Sequence, residues 1–301
     1  MDQVTPGVIG LGSMGFGAAV SLLRAGFSAH GCDIDAGTRS RFEAAGGTVH
    51  ADPSALAAAC DVVAVFVVNA DQIEQALFGS GAVATARPGT VFLLSATIPP
   101  SRAEEISRRL LDAGMLPIDA PVSGGAAQAA EGAMTIMASG PPAAFERADP
   151  VLRAIAARVF RLGDEPGAGS RMKLVNQHLA GIHIAAAAEA LVLAIGMGLD
   201  PHRVVETIRD CAGTSWMFEN RGPHIADGDY TPLSAVDIFV KDLGIVLDEA
   251  GRQGFDPVLA ARALEQFRRA AAEGWGRADD AAVAKVYARD AGIVLPGAGA
   301  A

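Results

Sequence analysis

Lysine is scarce in this chain of 301 residues. Of its 24 basic side chains, only Lys173, Lys241 and Lys285 are lysine, and the rest are arginine. On a solvated face the two types are nearly interchangeable, but a desolvated lysine can lose its proton whereas arginine stays charged. Lysines kept in an otherwise arginine-based chain therefore mark places where an amine is wanted. Cysteine is scarce too. Cys32, Cys60 and Cys211 are far apart and form no CxxC pair, which excludes a disulfide framework and a thiolate metal cluster and suits a reducing, cytoplasmic setting. Excess positive charge is absent: a net charge of −10 and a pI near 5.0 leave no basic stripe to neutralise phosphates, so no nucleic-acid partner is expected. The opening residues, Met1 to Pro6, lack the basic and apolar regions of a signal peptide. His178, His183, His202 and His224 form no metal pattern; the first two, five apart, face different ways on a helix.

What is present is apolar residue in quantity. Half of the chain is hydrophobic, much of it alanine, which favours closely packed helices. In the first half, short apolar runs alternate with helical patterns. Residues 7–10, 29–34, 61–68, 91–95, 117–119 and 134–138 read as strands, with helices such as 14–24 and 101–112 between them. The run at 61–68 is apolar throughout, as expected of a strand covered on both faces. This alternation predicts an α/β, Rossmann-type doubly wound domain. After about Gly163 the strand signals stop, and helices are expected at 170–197, 201–211, 235–252, 257–273 and 279–290. The expected organisation is therefore a dinucleotide-binding domain over 1–164 and an all-α domain over 165–301, with a frayed tail from Pro296. Residues 179–199 are long and apolar but include His183 and Glu189, which suits a helix buried between protein surfaces better than a membrane span.

Gly10, Leu11, Gly12, Ser13, Met14 and Gly15 match GxGxxG between a predicted strand and a predicted helix. The first glycine allows the tight turn, the second lets backbone approach a pyrophosphate, and the third permits close helix–strand packing. Asp33 ends the second predicted strand, where a carboxylate can bind the ribose 2′-hydroxyl and would repel a 2′-phosphate. Arg39 and Arg41 come several residues later, so NAD is expected rather than NADP.

Two further segments carry chemistry. Residues 119–125 include Ser123, Gly124 and Gly125 after a predicted strand, and a hydroxyl with two unobstructed N–H groups can converge on a carboxylate oxygen. On the long helix, Lys173, Asn176 and Gln177 stand at i, i+3 and i+4 and share one face. An amine beside an amide can bind an alcohol or carbonyl oxygen and move its proton, and burial disfavours the charged ammonium.

Taken in order, GLGSMG, DAPVSGG, GSxxKxxN and KDLG resemble the β-hydroxyacid dehydrogenase family, which includes 3-hydroxyisobutyrate dehydrogenase. The resemblance covers nearly the whole chain. It implies a Rossmann domain, a helical C-terminal domain and an active site in the cleft between them. It also implies Lys173 as the catalytic lysine, with Ser123, Gly124, Gly125 and Asn176 holding substrate. Lys241 would lie beside substrate and nicotinamide, and Thr97 would touch the cofactor; Asn69, after the apolar run, is a further cofactor candidate. Many members have a second asparagine where this chain has Gln177, which leaves the role of that position open. The chain is too short to resemble whole 6-phosphogluconate dehydrogenases.

Residues 213–221, with Trp216, and 229–234 resemble the L-threonate branch of the family, as does 236–240. Ser215, Glu219 and Asn220 offer hydrogen bonds suited to a polyhydroxy acid. The expectation is thus an NAD-dependent oxidation of a small hydroxy acid, L-threonate first, with 3-hydroxyisobutyrate, D-glycerate or tartronate semialdehyde as alternatives and a non-catalytic nucleotide-binding protein as a different class. The Ala/Gly-rich helix is expected to pack against a second subunit in a homodimer or homotetramer.

Overall fold

The computed structural model describes residues 4–297. The chain divides into two compact units between Lys173 and Leu174. The notional frayed tail lies outside the described residues from Ala298 onward, and Met1 to Gln3 also fall outside them.

In the first unit, strands β1 (Pro6–Ile9), β2 (His30–Cys32), β3 (Thr48–Val49), β4 (Val62–Val65), β5 (Val91–Leu94) and β6 (Leu116–Asp119) form one sheet. Their order is β3-β2-β1-β4-β5-β6 and every pairing is parallel. This is the doubly wound Rossmann arrangement, in which the order of strand addition reverses between β1 and β4 while every strand stays parallel. Helices α1 (Ser13–Arg24), α2 (Ala36–Ala44), α3 (Pro53–Ala59), α4 (Ala70–Glu74), α5 (Ala82–Thr85) and α6 (Pro100–Asp112) make the crossovers. Val62 to Val65 and Val91 to Leu94 are all buried, which is why those stretches read as unbroken apolar runs: helices cover both faces.

Residues 134–138 depart from the expected alternation. They form β8 (Met134–Ala138), which lies in a separate three-stranded sheet between β7 (Val122–Ser123) and β9 (Ala156–Arg161). Helices α7 (Gly125–Glu131) and α8 (Pro142–Ile155) accompany it. The apolar run expected as strand over 61–68 is strand only to Val65, because Asn69 caps α4 and the chain must turn before it.

The second unit is helical. α9 (Ala168–Gly196) starts in the first unit and continues into the second. It is followed by α10 (Pro201–Ile208), α11 (Trp216–Asp227), α12 (Val236–Arg252), α13 (Val258–Ala270) and α14 (Ala284–Ala291). α9 is long and apolar enough to cross a membrane by composition, yet Ile184, Ala188 and Leu191 on it are fully buried in a core shared with Phe239, Leu243 and Phe267. At Gly181 the helix packs tightly on α12: a Cβ there would lie 2.8 Å from Leu243. A buried ion pair ties α11 to the turn before α14. Arg221 Nε donates to Asp280 Oδ1 at 2.5 Å, and burial still pushes the Asp280 carboxyl up to about 6.

Candidate active site

The turn after β1 is built as the glycines predicted. Gly10 has φ +87°, and a Cβ there would sit 2.2 Å from the Phe66 carbonyl. A Cβ on Gly15 would collide with the Gly10 carbonyl at 1.9 Å, so the helix start lies directly on the turn. At Gly12 a Cβ would meet no heavy atom within 4 Å. That exposed stretch of backbone at the N-terminus of α1 is the cradle a pyrophosphate requires, and the site fits a dinucleotide. Ser13 is exposed, Met14 half-buried, and Leu11 points into the core.

Asp33, just past β2, spends its carboxylate on the turn. Oδ2 accepts from the Leu11 N–H at 2.6 Å and Oδ1 from the Asp35 N–H at 2.8 Å. It therefore locks the glycine turn to the end of β2. Arg39 Nη1 donates to the Asp33 carbonyl at 2.6 Å, so this guanidinium is nearer than its spacing in sequence suggests. Asn69 accepts from the Gln72 N–H at 2.9 Å as the cap of α4, and Thr97 is half-buried after β5. The cofactor candidates of the first unit thus follow the carboxyl ends of β1, β2, β4 and β5, where open α/β sheets bind ligands, whereas Lys241 lies on α12 in the second unit.

β6 ends at Asp119, which leads into the segment carrying Ser123. Gly124 and Gly125 have φ of +129° and +73°, a region that residues with a Cβ rarely adopt. The fully buried Asp119 carboxylate reaches the start of α9. Oδ2 accepts from Gly167 N–H at 3.0 Å and Ser170 N–H at 2.7 Å, and Oδ1 accepts from Ser170 Oγ at 2.7 Å. Lys173 stands one turn further on and is only 7 % exposed. The structure therefore brings the 119–125 segment and the lysine-bearing turn to one anchor.

Asn176 and Gln177 follow on α9 on the lysine's face. Asn176 Nδ2 donates to Gln177 Oε1 at 2.9 Å, and Gln177 Nε2 donates to Asp242 Oδ2 at 2.5 Å. Lys241 Nζ donates to Asp242 Oδ1 at 2.5 Å. Asp242, 1 % exposed, is thus the hub that joins three candidates from two helices. Neither acid was singled out from sequence. Each lay inside a quoted motif, and the signal was a charged residue closing an apolar strand for Asp119 and one beside a candidate lysine for Asp242.

The polar groups of 213–221 are engaged locally. Ser215 Oγ accepts from the Phe218 N–H as the cap of α11, Glu219 accepts from Thr214 Oγ1, and Asn220 accepts from Arg221. The stretch is a helix start rather than an open binding loop. Trp216, its first residue, is 54 % exposed. Among the described residues, no group of three or more His, Cys, Asp or Glu side chains could hold a metal.

Residues 5–163 match the NAD-binding domain of 6-phosphogluconate dehydrogenase, and 167–287 match the domain described as NAD-binding of NADP-dependent 3-hydroxyisobutyrate dehydrogenase. An L-threonate dehydrogenase of Cupriavidus necator is 56 % identical over 97 % of both chains. That of Escherichia coli K12 is 49 % identical over 97 % of this chain and 96 % of its own. The crystal structure of a Salmonella typhimurium 3-hydroxyisobutyrate dehydrogenase superposes with a TM-score of 0.90 at 47 % identity, covering 94 % of this chain and all of that one. The chain belongs to the β-hydroxyacid dehydrogenase family of NAD-binding oxidoreductases acting on CH–OH groups.

Proposed function

We propose that this chain oxidises L-threonate at its C2 hydroxyl to 2-oxo-tetronate, with NAD as the acceptor. The observation that carries the reading is the identity of 46–56 % with several L-threonate dehydrogenases along almost the full length of the chain. Bound NAD supplies the hydride acceptor. Lys173 takes the hydroxyl proton as the carbon–hydrogen bond gives up its electron pair. The Ser123 hydroxyl and the Gly124 and Gly125 N–H groups hold the carboxylate, and Asn176 orients the hydroxyl. Gln177 and Lys241 are kept in place through Asp242, and Trp216 contributes an exposed aromatic face to the substrate side. Gly10 to Gly15, Asn69, Thr97 and Lys241 serve the cofactor, and Asp33 favours NAD by repelling a 2′-phosphate.

The protein acts in the cytoplasm as a homodimer or homotetramer. Met172, Val175, Leu179 and Leu193 of α9, with Met197 just after it, are 44–63 % exposed, which supports burial of this helix by a second subunit.

NADH or NADPH formation from L-threonate, 3-hydroxyisobutyrate and D-glycerate, each with NAD and NADP, together with NADH or NADPH consumption by tartronate semialdehyde, tests the reading. The expected result is the highest kcat/KM with L-threonate and NAD. Preference for another acid would move the substrate assignment and leave the lysine chemistry. No turnover with any acid would favour a non-catalytic nucleotide-binding role.

A further inference from the structure

We propose that Asp119 is a positioning residue for proton transfer, holding the Lys173 amine in register with the Ser123–Gly125 backbone by anchoring the first turn of α9. The proposal rests on the dehydrogenase reading of Lys173 given above and assigns a task to a buried acid that this reading leaves unused.

The first N–H groups of a helix have no partner within the helix and ordinarily turn to water or to a cap beside them in sequence. In α9 they turn to residues far upstream. Asp119 takes the Gly167 and Ser170 N–H groups together with the Ser170 hydroxyl, and Ser139 Oγ takes the Gly169 N–H at 3.0 Å. Asp119 and Ser139 are themselves paired through their backbones, each N–H donating to the other's carbonyl at 2.9 Å. The seat is tight: a Cβ on Gly169 would lie 2.5 Å from the Met137 carbonyl and 2.6 Å from that of Asp119. The start of α9 is therefore clamped to the ends of β6 and β8.

Asp119 has two outlets. Along the chain, four residues lead from it to Ser123. Across the hydrogen bonds, one helical turn leads from Ser170 to Lys173. An α-helix is stiff over one turn, so fixing Ser170 fixes where the lysine stem begins. A solvent-facing cap would stabilise the helix equally well without tying it to the 119–125 segment. Burial pushes the Asp119 carboxyl above its ordinary range while the Ser170 and Gly167 hydrogen bonds pull it back, so the carboxylate is held in place by the groups it orders. Misplacing a reacting group by about 1 Å costs on the order of 100-fold in rate, which is the scale at which such an anchor matters.

The test uses Asp119→Asn and Ser170→Ala in the full-length protein, with two readouts. The first is kinetic: kcat and KM for L-threonate and NAD, and the primary deuterium isotope effect with L-threonate deuterated at C2. Asp119→Asn should lower kcat ~10- to 100-fold, leave KM for NAD within about threefold, and raise the isotope effect as the chemical step becomes limiting. Ser170→Ala should show the same pattern more weakly, roughly 3- to 10-fold. A merely structural role would lower the active fraction and leave the isotope effect unchanged. The second readout needs no substrate. Because the chain has three lysines, acetylation by acetic anhydride can be followed at each by peptide mass spectrometry. Lys173 should label faster in both variants while Lys241 and Lys285 keep their wild-type rates. Unchanged Lys173 labelling with kcat within twofold of wild type would overturn the proposal, as would an equal rise at all three lysines in Ser170→Ala. If Asp119→Asn fails to fold, Ser170→Ala decides alone. Wild-type protein inactive on L-threonate would remove the substrate assignment, and the labelling result would still decide the anchor.

Discussion

The Gln177 amide donates to the buried Asp242 carboxylate at 2.5 Å, across 65 residues of sequence. The Gln177 side chain spans the gap to α12, and Asp242 holds Lys241 with its other oxygen. Gln177→Leu would leave a buried carboxylate one hydrogen bond short. It should lose about 1–3 kcal/mol of stability in urea unfolding and also lower kcat/KM, because Asn176 loses its partner as well. A variant with wild-type stability and activity would show that the link is incidental.

Asp33 does two jobs at once. It is the proposed ribose-binding carboxylate and also fixes the glycine turn through the Leu11 N–H at 2.6 Å. Asp33→Ser should therefore narrow the preference for NAD over NADP, by roughly 10-fold or more from removal of a like charge, and should weaken NAD binding itself. Fluorescence titration with NADH and NADPH measures both. Narrowed preference with undiminished NADH affinity would assign the Leu11 contact no part in binding.

How much of this is legible in the sequence depends on how far apart the partners are. The β1–turn–α1 unit was readable because its glycines are forced by local geometry, and β4 and β5 were readable because both faces are covered. β3 and β7, two residues each, are too short to leave a period. β9 carries no alternation because most of its residues are exposed. α11 was missed because it contains Pro223, which usually ends a helix, and its capping groups looked like ligands for a sugar acid. Lys173, Asn176 and Gln177 were placed on one face by spacing alone. Asp119 and Asp242 were not assigned, since Gly167, Ser170 and Gln177, which give them their roles, lie 48 to 65 residues away.

The cysteines differ in reactivity as their burial dictates. Burial pushes the Cys32 thiol up to about 11 and the Cys60 thiol up to about 12, whereas Cys211 is exposed. A disulfide reagent should titrate Cys211 quickly in the native protein, and the other two only after denaturation. Fast native reaction at Cys60 would mean that β1 and α3 open readily.

His30 and His50 stack with Nδ1 and Nε2 2.8 Å apart, and burial holds both below the ordinary histidine value. A base whose folded pKa is depressed contributes stability that is present above its unfolded value, near 6.5, and is lost as pH falls through the folded one. Thermal stability should therefore decline on acidification below about pH 6.5, and His50→Gln should flatten that decline. An identical slope in the variant would place the acid sensitivity elsewhere.

The central claim, that the Lys173 amine moves the proton, is tested most directly by Lys173→Met. The account predicts NADH binding within about twofold of wild type together with a fall in L-threonate turnover of ~100- to 10,000-fold, the range that a positioned proton-transfer group supplies. Turnover near the wild-type rate, with the cofactor still bound, would contradict it.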